Sequence, residues 1–209
     1  MKVFSHYCPQ GFGNCYMLGS DGEETPRDAL IIDPGDMDTT ILNFIEGHQH
    51  TLKGILITHN HLNHVRGVRT LMHIYQTPIY AAQQNIFEYK THIVCDGDAF
   101  NIGDFHIEVI SVPGHSADSV VYKVDHFLFT GDALSAGMMG ATPSPYGAMN
   151  QIAKIQNHIF TLRGDYLVFP GHGPPSTLGG ERKNNVDIGR YLENKRKTEA
   201  RWSCLDFLE

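Results

Sequence analysis

The amino-acid sequence predicts an α/β sandwich, two sheets packed face to face with helices over their outer surfaces. Three observations lead there. Several apolar runs of strand length end in a polar residue or a Gly/Pro turn. Stripes of helical period lie between these runs, and strand ends recur loosely in the two halves of the chain.

Strands open the chain, and the run ALIIDPG closes at Asp33. Asp36 or Asp38 is then placed to cap a helix carrying Ile41, Leu42 and Ile45. KGILITHNH follows as a strand ending at His59 and His61. Val65, Val68, Met72 and Tyr75 recur at i, i+3, i+7 and i+10, a stripe that lays one helix face on a sheet. A second strand-rich group holds IEVISVPGH, ending at His115, and HFLFTGD, ending at Asp132. Ile152, Ile155, Ile159 and Leu162 repeat the helical stripe, YLVFPGHG ends at His172, and a C-terminal helix is predicted from about Thr177 onward. Runs this short, rich in Ile, Val, Leu and Phe and closed by Gly or Pro, read as buried strands. Residues 1–209 are taken as one domain, a length that supports a substantial core. The apolar residues of the terminal RWSCLDFLE, Trp202, Leu205, Phe207 and Leu208, can close that core or meet a partner, and packing on the core is the expectation.

Composition narrows the function classes. Hydrophobic residues make up 41% and charged residues 19%, which fits an ordered globular chain rather than a disordered one. A formal charge of -7 argues against nucleic acid, because binding phosphate backbones requires a positive surface. The late basic residues Arg182, Lys183, Lys195, Arg196, Lys197 and Arg201 are interleaved with acids and read as a solvated helix face. MKVFSHYCPQ has no signal-like apolar core, and no run of about 20 apolar residues is present to span a membrane. Cys8, Cys15, Cys95 and Cys204 form no CxxC pair, which suits a reducing compartment. A cytoplasmic enzyme acting on a small-molecule substrate is the expectation, with the oligomeric state open.

The strand ends carry the chemistry. His59 and His61 are two residues apart and can point the same way, as two ligands of one ion must. If a helix starts near Leu62, its first turn carries His64 toward the same cleft, where a second ion can sit. With His115, His172 and Asp132 this makes five imidazoles and a carboxylate, a donor set suited to zinc and also to iron or manganese. The other eight histidines have no such placement.

The motifs HNHLNH, PGHSADS, FTGDAL and FPGHGP together resemble the metallo-β-lactamase superfamily, whose signature is HxHxDH followed by separate His, Asp and His motifs. The wording PGHGPPSTLGGERKNN is most similar to the small branch related to hydroxyacylglutathione hydrolases, the glyoxalase II-like proteins, and the likeness runs from about Asn14 to about Asn185. The resemblance implies a four-layer αββα sandwich of the metallo-β-lactamase type. It implies a first metal on His59, His61 and His115, a second on His64 and His172, and Asp132 bridging the two. It also implies that Asp33 supports a ligand imidazole from behind.

Two departures from the pattern bear on function. Asn63 stands where the family has an aspartate that binds the second metal and accepts a hydrogen bond from the attacking water. A neutral carboxamide leaves more uncompensated positive charge, so the second site is expected to be weaker. Where relatives carry a segment similar to SxGRxD, this chain has Met138, Ala141 and Pro143, so the arginine is missing. Met138, Met139 and Tyr146 can form an apolar wall for the acyl group in its place, or simply fill the loop's own packing.

The resulting expectation is a metal-dependent hydrolase using metal-bound hydroxide on a small thioester or related acyl ester, with Asp132 and Asn63 beside the reacting water. The alternative is a metal-binding or regulatory protein of the same fold. Flavodiiron-like redox chemistry is disfavoured by His61 and Asn63, and nuclease activity by the lack of a basic nucleic-acid module.

Overall fold

The structure is a computed structural model that describes residues 1–21 and 25–205, with side chains through Lys197. The first half contains β1 Lys2–Cys8, β2 Gly13–Gly19, β3 Arg27–Ile32, α1 Thr39–Leu42 with a π-helical turn Asn43–Gly47, β4 His50–Leu56, α2 Leu62–Val65 and α3 Val68–Tyr75. Short strands follow: β5 Ile79–Ala81, β6 Asn85–Ile86, β7 Tyr89–Lys90, β8 His92–Ile93 and β9 Ala99–Ile102. The second half contains β10 Phe105–Ser111, β11 Val120–Val124, β12 Phe127–Gly131, α4 Pro145–Lys154 with a π-helical turn Ile155–Ile159, β13 Leu167–Pro170, β14 Ser176–Thr177, α5 Leu178–Asn184 and α6 Val186–Leu205.

One six-stranded sheet has the order β1-β2-β3-β4-β5-β8 and the other β14-β13-β12-β11-β10-β9, while β6 and β7 form a separate hairpin. β3 and β4 are parallel, as are β12 and β13, and β10 runs in the direction of β12 because each pairs antiparallel with β11. β3, β4, β10, β12 and β13 therefore finish at one edge of the sandwich.

Strand alternation creates the layers. On β2, Tyr16 and Leu18 join a core between the sheets, while Cys15 and Met17 face outward. β3 does the same, with Leu30 and Ile32 inward and Ala29 and Ile31 outward. In the second sheet Tyr122 and Phe129 enter the inner core, and Val121 and Leu128 face the outer helices. Both faces of each central strand are thus buried, which is why these runs are continuously apolar instead of alternating. The outer layers are closed by Ile41, Phe44, Ile45, Val65, Val68 and Leu71 on one side and by Ile152, Ile155, Ile159, Leu178 and Ile188 on the other. The result is four layers, αββα, as the sequence predicted.

Both helical stripes pack as expected, Met72, Tyr75 and Leu162 being half-buried at their ends. Asp38, not Asp36, caps α1, its Oδ1 accepting from Thr40 N at 2.9 Å and Ile41 N at 3.1 Å. Leu42 turns outward and is 37% exposed, because it lies one residue past the buried Ile41 on a helical period. The predicted single C-terminal helix is two. Asn185 leaves helical geometry at ψ 111, and its side chain explains the break: Oδ1 accepts from Ile188 N, restarting the helix, while Nδ2 donates to Met138 O and Glu181 Oε2. The side chains of Trp202 and Leu205, and all of Phe207 and Leu208, lie outside the described residues.

Candidate metal centre

The six candidate ligands and Asp33 sit at the shared strand edge. Asp33 directly follows β3, His59 lies three residues past β4, and His61 is the N-cap of α2 with extended backbone (φ -95, ψ 144). That geometry points His61 toward the edge while α2 starts behind it and carries His64 inward, buried. His115 leaves the loop after β10, Asp132 directly follows β12, and His172 lies two residues past β13.

Two clusters result. His59, His61 and His115 bring one nitrogen each to within 4.8 Å of one another, and His64, Asp132 and His172 form a second group on the same criterion. Asp132 stands between them. Its Oδ2 lies 3.4 Å from His115 Nε2, 3.6 Å from His172 Nε2 and 4.0 Å from His59 Nε2, and its Oδ1 lies 3.4 Å from His64 Nε2. The resemblance implied a bridging Asp132, but spacing alone could not place it there, because the position depends on two sheets meeting.

Hydrogen bonds behind the rings decide which nitrogen each histidine presents. His115 Nδ1 donates to Ala141 O at 2.6 Å and His172 Nδ1 to Phe12 O at 2.8 Å, since a carbonyl only accepts. His64 Nδ1 donates to Asp33 Oδ2 at 3.0 Å. Thr58 Oγ1 donates to Asp33 Oδ2 at 2.6 Å and accepts from His59 Nδ1 at 3.1 Å. Four imidazoles are therefore anchored through Nδ1 and turn Nε2 to the centre, whereas His61 offers Nδ1, 3.0 Å from His115 Nε2. Backing groups of this kind set the tautomer and orientation of metal-ligating histidines.

The centre contains polar atoms that the protein leaves unmatched. His59 Nε2, His64 Nε2 and Asp132 Oδ1 are buried without a hydrogen-bond partner. Leaving three such atoms together is costly unless an ion satisfies them, so the donor set fits a divalent cation. The charges of Asp33 and Asp132 act on the buried imidazoles of His59 and His64, and those imidazoles act on Asp132. Burial holds His59 down at about 3, helped by the adjacent His64. Burial also opposes charge on His64, but the carboxylates of Asp33 and Asp132 outweigh it and raise the imidazole to about 10. Asp132 resists burial through His64, His59 and His172 and stays ionised well below the usual carboxylate range. Without a cation, His64 thus carries the centre's positive charge.

Asp33 is also within reach of His59 and His64 as a third possible group. Its oxygens are already taken by Thr58 N at 2.8 Å, Thr58 Oγ1 and His64 Nδ1, so it holds the ligands from behind. It does so at φ 49, a left-handed conformation uncommon outside glycine and concentrated at functional sites. Gly171 shows how closely the centre is built, since a Cβ there would lie 2.5 Å from both Asp132 Oδ1 and His64 Cε1.

Asn63 is in the centre. Its Nδ2 lies 2.8 Å from His172 Nε2, and because His172 spends its Nδ1 proton on Phe12 O, the amide donates and the ring accepts.

Sequence reasoning missed Thr58, the Phe12 and Ala141 carbonyls, and Asp118, whose Oδ2 accepts from Asn60 N at 2.8 Å and ties the His115 loop to the His59–His61 loop. Asp118 does stand in the quoted PGHSADS, but a carboxylate three residues from a candidate ligand has no distinguishing spacing. Of the apolar wall, Met138 and Tyr146 are 55% and 72% exposed. Met139 is a correction: it packs half-buried on the outer core, its backbone N–H held by Asp187 Oδ2 at 3.0 Å.

Residues 8–172 match the family model for the metallo-beta-lactamase superfamily. The chain is 39% identical over 178 residues to the hydroxyacylglutathione hydrolase of Hahella chejuensis, covering 83% of this chain and 67% of that one. It is 31% identical over 147 residues to the hydroxyacylglutathione hydrolase of Vibrio cholerae, covering 70% and 57%. The chain thus spans between about half and two-thirds of the length of these relatives. Among solved structures, BLEG-1 B3 metallo-beta-lactamase superposes with a TM-score of 0.77 at 26% identity, covering 90% of this chain and 99% of the other. Matched motifs, a matched fold and matched strand-end ligands agree, and the chain belongs to the metallo-beta-lactamase superfamily, in its glyoxalase II-like branch.

Proposed function

We propose that this protein is a metal-dependent hydrolase of small thioesters or related acyl esters, with a strong first cation site and a second one weakened by Asn63. The observation that carries it is the group of buried atoms without a hydrogen-bond partner, His59 Nε2, His64 Nε2 and Asp132 Oδ1, with both imidazoles within 4.0 Å of the Asp132 carboxylate. His59, His61 and His115 would hold the first cation, His64 and His172 the second, and Asp132 both. A bound divalent cation acidifies a water ligand toward neutral pH and polarises the carbonyl under attack.

The protein's own groups do the rest. Asp132, ionised at neutral pH, accepts a hydrogen bond from a water placed between the two clusters. Thr58 and Asp33 keep His59 and His64 in the tautomers that face the substrate. Hydrolysis forms a C–O bond from water and breaks the C–S bond, and the thiolate leaves without needing a strong acid. This suits a site with no Lys or Arg among residues 58–64, 113–119 and 132–147. Zinc fits the nitrogen-rich donors, and iron or manganese are the other candidates.

The Asn63–His172 hydrogen bond favours a second reading, a metal-binding protein of this fold with little turnover. Metal content measured together with turnover on thioesters, lactones and phosphodiesters separates the two. Thioester hydrolysis that tracks metal content supports the hydrolase; full metal content without turnover on any of them supports the second reading.

A further inference from the structure

The edge of the candidate centre is unusually apolar. Phe12 is 71% exposed and held at φ 53, a left-handed conformation that disfavours an aromatic residue. Its own carbonyl accepts from His172, and Asn14 clamps the same turn through N to Gly171 O and through Nδ2 to Pro170 O and Gly173 O. A strained backbone that presents a phenyl ring to solvent beside a candidate ligand contributes nothing to the core. Leu62, 56% exposed, lies between His61 and Asn63. Met138 follows the turn from Ser135, whose Oγ donates to His172 O. Tyr146 precedes Gly147, whose carbonyl lies within 2.6 Å of where a Gly114 side chain would begin, next to His115. Four exposed apolar side chains thus stand on segments that carry a candidate ligand or a group bonded to one.

Charge points the same way. The five loops that build the centre, residues 8–14, 58–64, 113–119, 132–147 and 170–175, contain no Lys or Arg, and their acids are Asp118 and Asp132. A substrate carboxylate meeting these loops finds no Lys or Arg to pair with, so their side chains offer a charged thiol nothing that an uncharged one lacks.

Resting on the hydrolase reading above, we infer that the site takes acyl thioesters whose acyl and thiol portions are both apolar and uncharged, and selects against carboxylate-bearing thiols such as glutathione. Phe12, Leu62, Met138 and Tyr146 are the specificity-determining residues.

Binding and turnover test this separately. Two non-hydrolysable thioethers, S-hexyl-N-acetylcysteamine and S-hexylglutathione, share the alkyl chain and differ in charge. Calorimetric titration of the zinc-loaded protein should show the uncharged thioether binding about tenfold tighter or more. Phe12→Ser combined with Tyr146→Ser should weaken it by about tenfold, from the aromatic area no longer covered. Ala141→Arg, a change at an exposed position that offers His115 only its backbone carbonyl, should narrow the gap by strengthening S-hexylglutathione. Equal or tighter binding of S-hexylglutathione, or no response to the aromatic substitutions in a folded, zinc-loaded protein, overturns the inference. The matching hexanoyl thioesters report on the hydrolase reading alone: neither being hydrolysed while the binding order holds defeats that reading and leaves the preference intact.

Discussion

Asn63 Nδ2 lies 2.8 Å from His172 Nε2 and donates to the nitrogen that would serve the second cation. A second ion can bind His172 only by breaking this bond, and Asn63 then offers at best a neutral oxygen. Asn63→Asp removes the donor and adds a negative charge. Titration with zinc should show the second equivalent binding at least about tenfold tighter in this variant, with faster hydrolysis. Equal stoichiometry and rate in both proteins would count against the role given to Asn63.

The opposed shifts of His59 and His64 shape the acid–base stability of the metal-free protein. An unfolded histidine titrates near 6.5, whereas folded His64 holds its proton up to about 10, so its stabilisation is complete below 6.5 and is lost as pH rises toward 10. Folded His59 stays neutral down to about 3, so the unfolded state gains protons first and stability falls as pH drops below 6.5. Thermal midpoints of the metal-free protein should therefore peak near pH 6.5. A midpoint that climbs steadily between about pH 7 and about pH 9 would contradict the charge placed on His64.

Asp33 serves three buried donors at once, Thr58 N, Thr58 Oγ1 and His64 Nδ1. Asp33→Ala strands all three and removes the counter-charge of His64. Denaturant unfolding should register a loss of about 3–5 kcal/mol, and cation affinity at the second position should fall by about tenfold or more. Asp33→Asn, which keeps the acceptor for Thr58, should lose less stability and flatten the alkaline limb described above.

Gly171→Ala tests how closely the centre is packed. The new methyl would sit 2.5 Å from Asp132 Oδ1 and from His64 Cε1, and it projects into the site, not the core. The variant should fold, as judged by far-UV circular dichroism, yet bind less than one full equivalent of zinc and lose hydrolysis in proportion. Full metal content and rate would show that the two ligands have room to retreat.

The strand runs and helical stripes were legible because both faces of the central strands are buried and the helices each cover one sheet face, so apolar residues recur at the period of the backbone itself. Short strands such as β6, β7 and β8 were not legible, since two residues display no period. The C-terminal break at Asn185 was hidden for another reason: the residue restarts a helix by accepting from Ile188 N while its amide is held by Glu181 and Met138, and that choice depends on a distant loop.

The same division runs through the centre. Sequence by itself determined the fold class, the six candidate ligand positions and the substitution at Asn63, because strand ends are set by local composition and histidines there have few structural uses. Only the tertiary structure decided the distances from Asp132 to the two clusters, that Phe12 and Ala141 carbonyls orient rings from loops far away in the chain, and that Asn63 donates to His172. Those relations are made by five strands from two sheets ending at one edge, and no local pattern encodes a distance between segments that meet only when the core closes.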